Sequence, residues 1–298
     1  MGGAPEARPR IVDGRVGFQA LGALYASSVR RLSAEPGLRA SLTRIAVGGI
    51  VVSVVGGAVI AHGASPPDTG WALIAGAIWW FLTTAVLVGG TDLLVTPEHR
   101  RINGYGVPNA LTALRAYTCL PLILCAALPL GGDTGLYLWC AIGMPAGLLD
   151  FVDGYIARRV GPITELGKAL DPLGDAVFFG MAAVGNVLVG IIPIWLGAIM
   201  LLRYSGPLLA TPVVFLLRRR PELVHTEWGR RNTLATGLVL FVGMIIRLTG
   251  HGTTPTAIVL GIPLLVTTTL LHFATLWRRV MEAPTVRPRR RDLRGDGA

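Results

Sequence analysis

Apolar residues along this chain run in long blocks, the length of a helix that crosses a hydrocarbon core of ~30 Å with about 20 residues. The blocks extend approximately over Arg44 to His62, Trp71 to Val95, Val107 to Leu130, Gly135 to Ile156, Gly167 to Val189, Ile191 to Leu217, Asn232 to Leu248 and Thr256 to Trp277. Turn-forming joins such as Ser65-Pro66-Pro67-Asp68 and Gly131-Gly132-Asp133 separate several of them. The pattern predicts an all-α, polytopic membrane helix bundle of eight spans. Ahead of the first block, Phe18, Leu21, Tyr25, Val29 and Leu32 recur at helical spacing, with Arg30 and Arg31 off that stripe. This predicts a helix lying in the membrane interface or, as the alternative, a solvated linker. Met1 to Asp13 is polar, with Gly and Pro, and predicts no fixed structure.

Composition agrees with a bilayer solvent: 52% of the residues are hydrophobic, 15% are charged and the mean hydropathy is +0.59. The net charge of +10 then fits cytoplasmic loops facing anionic lipid, and no nucleic-acid partner is expected. The basic residues support the span count. With the N-terminus inside, Arg30, Arg31, Arg39, Arg44, Arg100, Arg101, Arg158, Arg159, Lys168, Arg218 to Arg220, Arg230, Arg231 and the Arg-rich tail after Trp277 share one side, and Arg247 falls near the other. Adding or removing one span would destroy this segregation, so both termini are expected in the cytoplasm and the protein in the cell membrane. The first forty residues lack an apolar core, so no cleavable leader is expected. Cys119, Cys125 and Cys140 lie in apolar stretches without zinc-ligand spacing and read as core residues.

Paired glycines at Gly48-Gly49 and Gly56-Gly57 predict close helix contacts within the first two spans. Those spans either pack on the remaining six or form a partner surface, for example of a homodimer.

Four aspartates stand where lipid disfavours them. Asp150, Asp153, Asp171 and Asp175 sit at or inside the same ends of two successive spans, and a charge at a bilayer centre costs about 2.5–3.5 kcal/mol on insertion scales. Spacings of three and four place Asp150 with Asp153, and Asp171 with Asp175, on single helix faces. A hairpin centred near Pro162 brings all four to similar depth, since Asp153 and Asp171 are equidistant from it. Clustered carboxylates need cations, and Mg2+ or Mn2+, as two ions, suits oxygen donors in phosphoryl chemistry. Neutralisation by Arg158 and Arg159 is the structural alternative. Gly154, Ala157 and Gly167 leave room for a base or pyrophosphate, or for helix packing, and Arg158 offers a forked phosphate donor.

The string Asp150-x2-Asp153-Gly154-x2-Ala157-Arg158-x8-Gly167-x3-Asp171-x3-Asp175 resembles, at every specified residue and gap, the signature of the CDP-alcohol phosphotransferases. The resemblance spans roughly Val107 to Trp277 and implies the family's six-helix core. It divides the chain into an N-terminal cytoplasmic segment (1–43), two additional transmembrane helices (44–101), a catalytic core (102–279) and a basic cytoplasmic tail (280–298). It implies that Asp150, Asp153, Asp171 and Asp175 hold the metals, that Asp175 is also the general base, and that Asp150, Gly154, Ala157 and Arg158 lie against the donor. Pro108-Asn109-Ala110-Leu111-Thr112-Ala113-Leu114-Arg115 looks like the family's first core helix, so Asn109, Thr112 and Arg115 become candidates for holding nucleotide or phosphate; Asn109 and Thr112 serve equally well as helix-start residues.

The implied reaction moves a phosphatidyl-type group from CDP-diacylglycerol or a related CDP-lipid to a small alcohol, releasing CMP. Gly167-Lys168-Ala169-Leu170-Asp171-Pro172-Leu173-Gly174-Asp175 looks most like the phosphatidylglycerophosphate synthase branch, which implies glycerol 3-phosphate. That branch carries Arg-Glu where this chain has Arg203-Tyr204, and Gly-Lys-x-Lys-Thr where it has Gly229-Arg230-Arg231-Asn232-Thr233. Inositol phosphate is therefore the alternative acceptor, with Arg218 to Arg220, Arg230 and Arg231 as charge for a phosphorylated alcohol. Arg203, inside a span, is a candidate for the acceptor's phosphate or for a structural ion pair. A cation or proton transporter would also explain buried acids, but not the intervening Gly, Ala and Arg.

Overall fold

The computed structural model describes the backbone of residues 18–160, 163–216 and 227–282, and the side chains of these except 18–21, 148–160 and 211–216. The described chain is helical: α1 (Phe18–Ala34), α2 (Pro36–Gly63), α3 (Pro66–Gly89), α4 (Gly106–Ala127), α5 (Thr134–Val160), α6 (Glu165–Leu188), α7 (Ile194–Leu216), α8 (Glu227–Leu248) and α9 (Thr254–Glu282). Each apolar block predicted from the sequence lies on one of α2 to α9. Among the described residues α2, α3, α4, α8 and α9 are long and apolar enough to cross a membrane. The other three blocks lie on α5, α6 and α7; α6 carries Glu165, Lys168, Asp171 and Asp175 in its first half.

Local chemistry explains where the helices start and stop. Pro36 and Pro66 occupy first-turn positions where a missing N–H costs nothing, and Ser65 Oγ accepts from Asp68 N at 3.3 Å. α3 stops at Gly89, short of the predicted Val95, because the chain turns at Gly90, where Leu166 occupies the space a Cβ would fill. Residues 91–105 form a short 3-10 turn and a tight return bridged once between Val95 and Arg101, with His99 in the left-handed region (φ 62°). Within α9, Ala257–Val266 is π-helical around Pro263, whose ring removes one helical donor.

α4 is the hub. Leu114 and Tyr117 face α2, Trp79 of α3 donates its indole N–H to Ala116 O at 2.8 Å, and α5 and α6 cover the remaining sides. The paired glycines meet α4 more than α3: a Cβ at Gly48, Gly49 or Gly56 would lie 3.0 Å from Leu114, 2.8 Å from Tyr117 and 2.6 Å from Pro121, and only Gly57 faces Leu73 of α3. The N-terminal helices are thus packed into the bundle through α2. The sequence placed Arg31 off the apolar stripe of α1, but it is buried, since α1 rests on the end of α3 and the 91–102 loop. At the opposite end of the bundle Arg247 donates to Val189 O at 3.1 Å and pairs with Asp133 at 3.6 Å.

Candidate active site

α6 presents two of the four aspartates, and its first turn is fixed by Thr164, whose Oγ accepts from Gly167 N at 2.9 Å. Gly167 and Gly174, two turns apart, face α4. A Cβ at Gly167 would lie 3.2 Å from Asn109 Oδ1 and 3.3 Å from Thr164 Oγ; at Gly174 it would lie 3.2 Å from the Thr112 methyl and 3.4 Å from Arg115 Nη2. Small residues here let two membrane helices approach closely, so Gly167 acts in this structure as a packing glycine.

The α4 candidates divide accordingly. Asn109 is buried and its amide N–H groups go to Tyr105 O (2.7 Å) and Thr164 Oγ (3.2 Å). The Thr112 hydroxyl donates back to Pro108 O at 3.2 Å. Both residues are occupied with the α4–α6 contact. Arg115 reaches the acids: its Nη2 lies 3.1 Å from Asp175 Oδ1 and its guanidinium stacks 5.2 Å from the centre of the Phe178 ring. Arg115 is 9% exposed in its side chain and Asp175 42%, so the pair joins a buried cation to a carboxylate that faces open space. Asp171 lies one turn earlier on the same face and is exposed. Pro172, directly after it, removes the helical hydrogen bond to the Lys168 carbonyl between the two acids.

Asp150, Asp153, Gly154, Ala157 and Arg158 fall on the last turns of α5, where the helix is described and the side chains lie outside the description. Trp139 of α5 fills the space beside Gly185 of α6, and its indole N–H donates to Asn186 Oδ1 at 3.2 Å. Asp153 is fourteen residues after Trp139, and Asp171 is fourteen before Gly185. By residue count the two positions are equally far along their helices from that contact. Among the described residues no group of three His, Cys, Asp or Glu side chains forms a cluster of metal-holding size.

Arg203 on α7 is buried, lies over the Tyr204 ring at 5.1 Å and has an Nε atom with no hydrogen-bond partner. Asp175 and His272 are both within its electrostatic reach. Tyr204 in turn stacks on Phe179 with centroids 4.1 Å apart and hydrogen-bonds Thr236 at 3.3 Å. Two guanidinium groups therefore flank the aromatic pair that follows Asp175. Sequence reasoning missed Phe178, Phe179 and Tyr204, although the first two lie three and four residues beyond Asp175, where helical spacing sets them beside it. His272 of α9 is buried as well. Beyond Phe178 and Phe179 an apolar cavity of about 350 Å³ opens between α4, α5, α6 and α8, lined in part by Leu122, Trp139, Met144 and Phe241. The Arg218 to Arg220 cluster lies outside the described residues, and Arg231 pairs with Glu227 at 2.5 Å and covers Trp228.

Comparison with known proteins locates this site within a matched region. The profile of the CDP-alcohol phosphatidyltransferase family matches residues 105–277, from the residue before α4 into α9. A "Probable phosphatidylglycerophosphate synthase" of Mycobacterium tuberculosis is 31% identical over 140 residues, 45% of this chain and 64% of the relative. A "Cardiolipin synthase (CMP-forming)" of Streptomyces coelicolor is 33% identical over 115 residues, 38% of this chain and 52% of the relative. A "CDP-diacylglycerol--glycerol-3-phosphate 3-phosphatidyltransferase" of Aquifex aeolicus is 40% identical over 72 residues, 24% of this chain and 38% of the relative. The chain thus matches less than two thirds of the length of each of these relatives. No solved structure matches.

Proposed function

Because this chain belongs to the CDP-alcohol phosphatidyltransferase family, we propose that it transfers the phosphatidyl group of CDP-diacylglycerol to a hydroxyl of glycerol 3-phosphate, releasing CMP. The protein is an integral membrane transferase, and on this reading the end carrying Asp171 and Arg31 faces the cytosol with both termini. The observation that carries the reading is the Arg115–Asp175 pair inside the matched family region, a buried guanidinium against a half-exposed carboxylate of the signature.

That donor set fits hard divalent cations: four carboxylates at one end of a hairpin, two of them on an open face of α6, supply only oxygen ligands. Asp150, Asp153, Asp171 and Asp175 would hold Mg2+ or Mn2+, as two ions. When bound, they supply positive charge for the pyrophosphate and the departing CMP. Gly154, Ala157 and Arg158 would lie along the nucleotide. The acceptor's hydroxyl oxygen attacks the phosphorus that bears diacylglycerol, the bond to CMP breaks with its electron pair leaving on CMP, and the hydroxyl proton passes to Asp175. Arg115 donates to Oδ1 of that carboxylate and orients it. Arg203, with a buried Nε lacking a partner within electrostatic reach of Asp175, suits the acceptor's phosphate. The apolar cavity beyond Phe178 and Phe179 suits an acyl chain of the donor.

The test is CMP release from CDP-diacylglycerol by the full chain in lipid vesicles, with the products of an acceptor panel read by mass. Phosphatidylglycerophosphate with glycerol 3-phosphate supports the reading. Product with inositol phosphate alone would replace the acceptor and keep the reaction. No CMP with any alcohol, with Mg2+ and Mn2+ supplied, would overturn the reaction.

A further inference from the structure

The chemistry above leaves α1 and the loop between α3 and α4 without a role, and the matched family region begins only at residue 105. Yet this part holds a dense set of polar contacts. Arg31, in the last turn of α1, is 7% exposed. It donates from Nε to Glu35 at 3.0 Å, from Nη1 to Thr91 O at 3.0 Å, and from Nη2 to Leu94 O at 3.3 Å and Ile102 O at 3.1 Å. One rigid guanidinium fork thus grips three separate points of the 91–102 loop. The loop closes on itself through Ile102 N to Leu94 O (3.1 Å) and Thr96 N to Arg100 O (2.9 Å).

The other edge of the same loop holds the start of α6. Val95 O accepts from Glu165 N, the first residue of α6, at 3.0 Å. The neighbouring Leu166 side chain is buried in a cluster with Leu38, Leu42 and Leu94. At the loop's end Tyr105 donates its hydroxyl to Leu87 O at 3.0 Å, while its carbonyl receives Asn109, whose amide also reaches the Thr164 cap. The first turn of α6 is therefore clasped between the loop and α4. Asp171 and Asp175 follow Glu165 by six and ten residues, roughly 9 and 15 Å along the helix, and a small tilt or rotation at the clasp moves both relative to Arg115 and the end of α5.

We propose that Arg31 is a positioning residue for the phosphatidyl transfer: through the 91–102 loop it sets the height and rotation of α6, and so the geometry of the carboxylates. The kinetic part of this inference rests on the transfer reading; the structural part does not. The N-terminal segment is then a part of the catalytic unit that the matched family region leaves out.

Two variants test it. Arg31→Gln removes the fork. Glu165→Pro removes the backbone N–H that bonds Val95 O without disturbing the helix start, because position 165 begins the helix and Thr164 already has the extended backbone that a following proline requires (φ −115°, ψ 155°). Glu165→Ala is its control for the lost Lys168 pair, and Trp80→Phe, which deletes an α2–α3 hydrogen bond to Ala46 O, is the control for general loosening of the N-terminal helices. Amide exchange in the full chain should rise about tenfold at Gly167 and Lys168 in both test variants and in neither control, with α8 unchanged. Turnover should fall about tenfold or more, since misplacement of order 1 Å costs up to ~10²-fold. The metal concentration for half activity should rise, donor KM should stay constant, and Arg31→Lys should recover part of the loss. Unchanged exchange at Gly167 and Lys168 in Glu165→Pro, or Trp80→Phe reproducing Arg31→Gln in exchange and turnover, would overturn the proposal. If the wild type releases no CMP with any acceptor, the transfer reading fails while the exchange measurement still decides the clasp.

Discussion

α4 makes two close contacts on different sides, and both use glycines. Toward α2, Gly49 and Gly56 admit the Tyr117 ring and Pro121; toward α6, Gly167 and Gly174 admit Asn109, Thr112 and Arg115. The first contact is apolar apart from hydroxyls, with Tyr117 held by Thr84 at 2.8 Å. The second carries an amide, a cap and an arginine–aspartate pair. Glycine therefore marks where backbones approach in this bundle but does not distinguish a packing seam from a site. The polar groups that the approach brings together make that distinction, because in lipid each of them must find a partner or a function.

Three substitutions sharpen the contrast. The largest effect is expected on the α6 side, from Asp175→Asn, which keeps the shape and a neutral oxygen but removes the base. Turnover should fall by about 10²–10⁴-fold while donor binding in the presence of metal persists. Single-turnover CMP release measured beside equilibrium donor binding checks this; lost binding would make Asp175 chiefly a metal ligand, and normal turnover would remove it from the chemistry.

The α2 side should answer in stability instead. Gly49→Leu forces bulk against Tyr117, which is 1% exposed and tethered by its hydroxyl, so overpacking should cost about 1–3 kcal/mol. Thermal unfolding in detergent should show it, with activity per folded molecule near the wild-type value. A catalytic loss without a stability loss would place α2 in the site and erase the contrast.

The smallest change, Gly174→Ala, probes the second seam without charge. Its methyl would sit 3.2 Å from the Thr112 methyl, which must give by a few tenths of an ångström, and 3.4 Å from Arg115 Nη2, so the shift is passed to the seam that holds Arg115. A several-fold drop in kcat is expected, with a stability change of roughly 1 kcal/mol or less. An effect on stability alone would mean that Arg115 orients nothing.

The sequence by itself determined the helices and which acids share a helix. Blocks of apolar residues must become helices in a bilayer, since backbone groups there find partners only within the segment, and the fixed rise per residue made Asp153 and Asp171 level once a hairpin centred near Pro162 was assumed. Rotation about each helix axis, and the choice of neighbour, were decided only by tertiary structure. Arg31 lies off an apolar stripe by periodicity, yet it is buried because carbonyls sixty to seventy-one residues away converge on it. Asn109 and Arg115 sit six residues apart on one helix; the first meets a cap and the second an acid, because α6 passes them at a particular rotation. Spacing along a chain fixes which side chains share a face. Which groups that face meets depends on long-range packing, in which residues more than fifty positions apart must be close-packed at once.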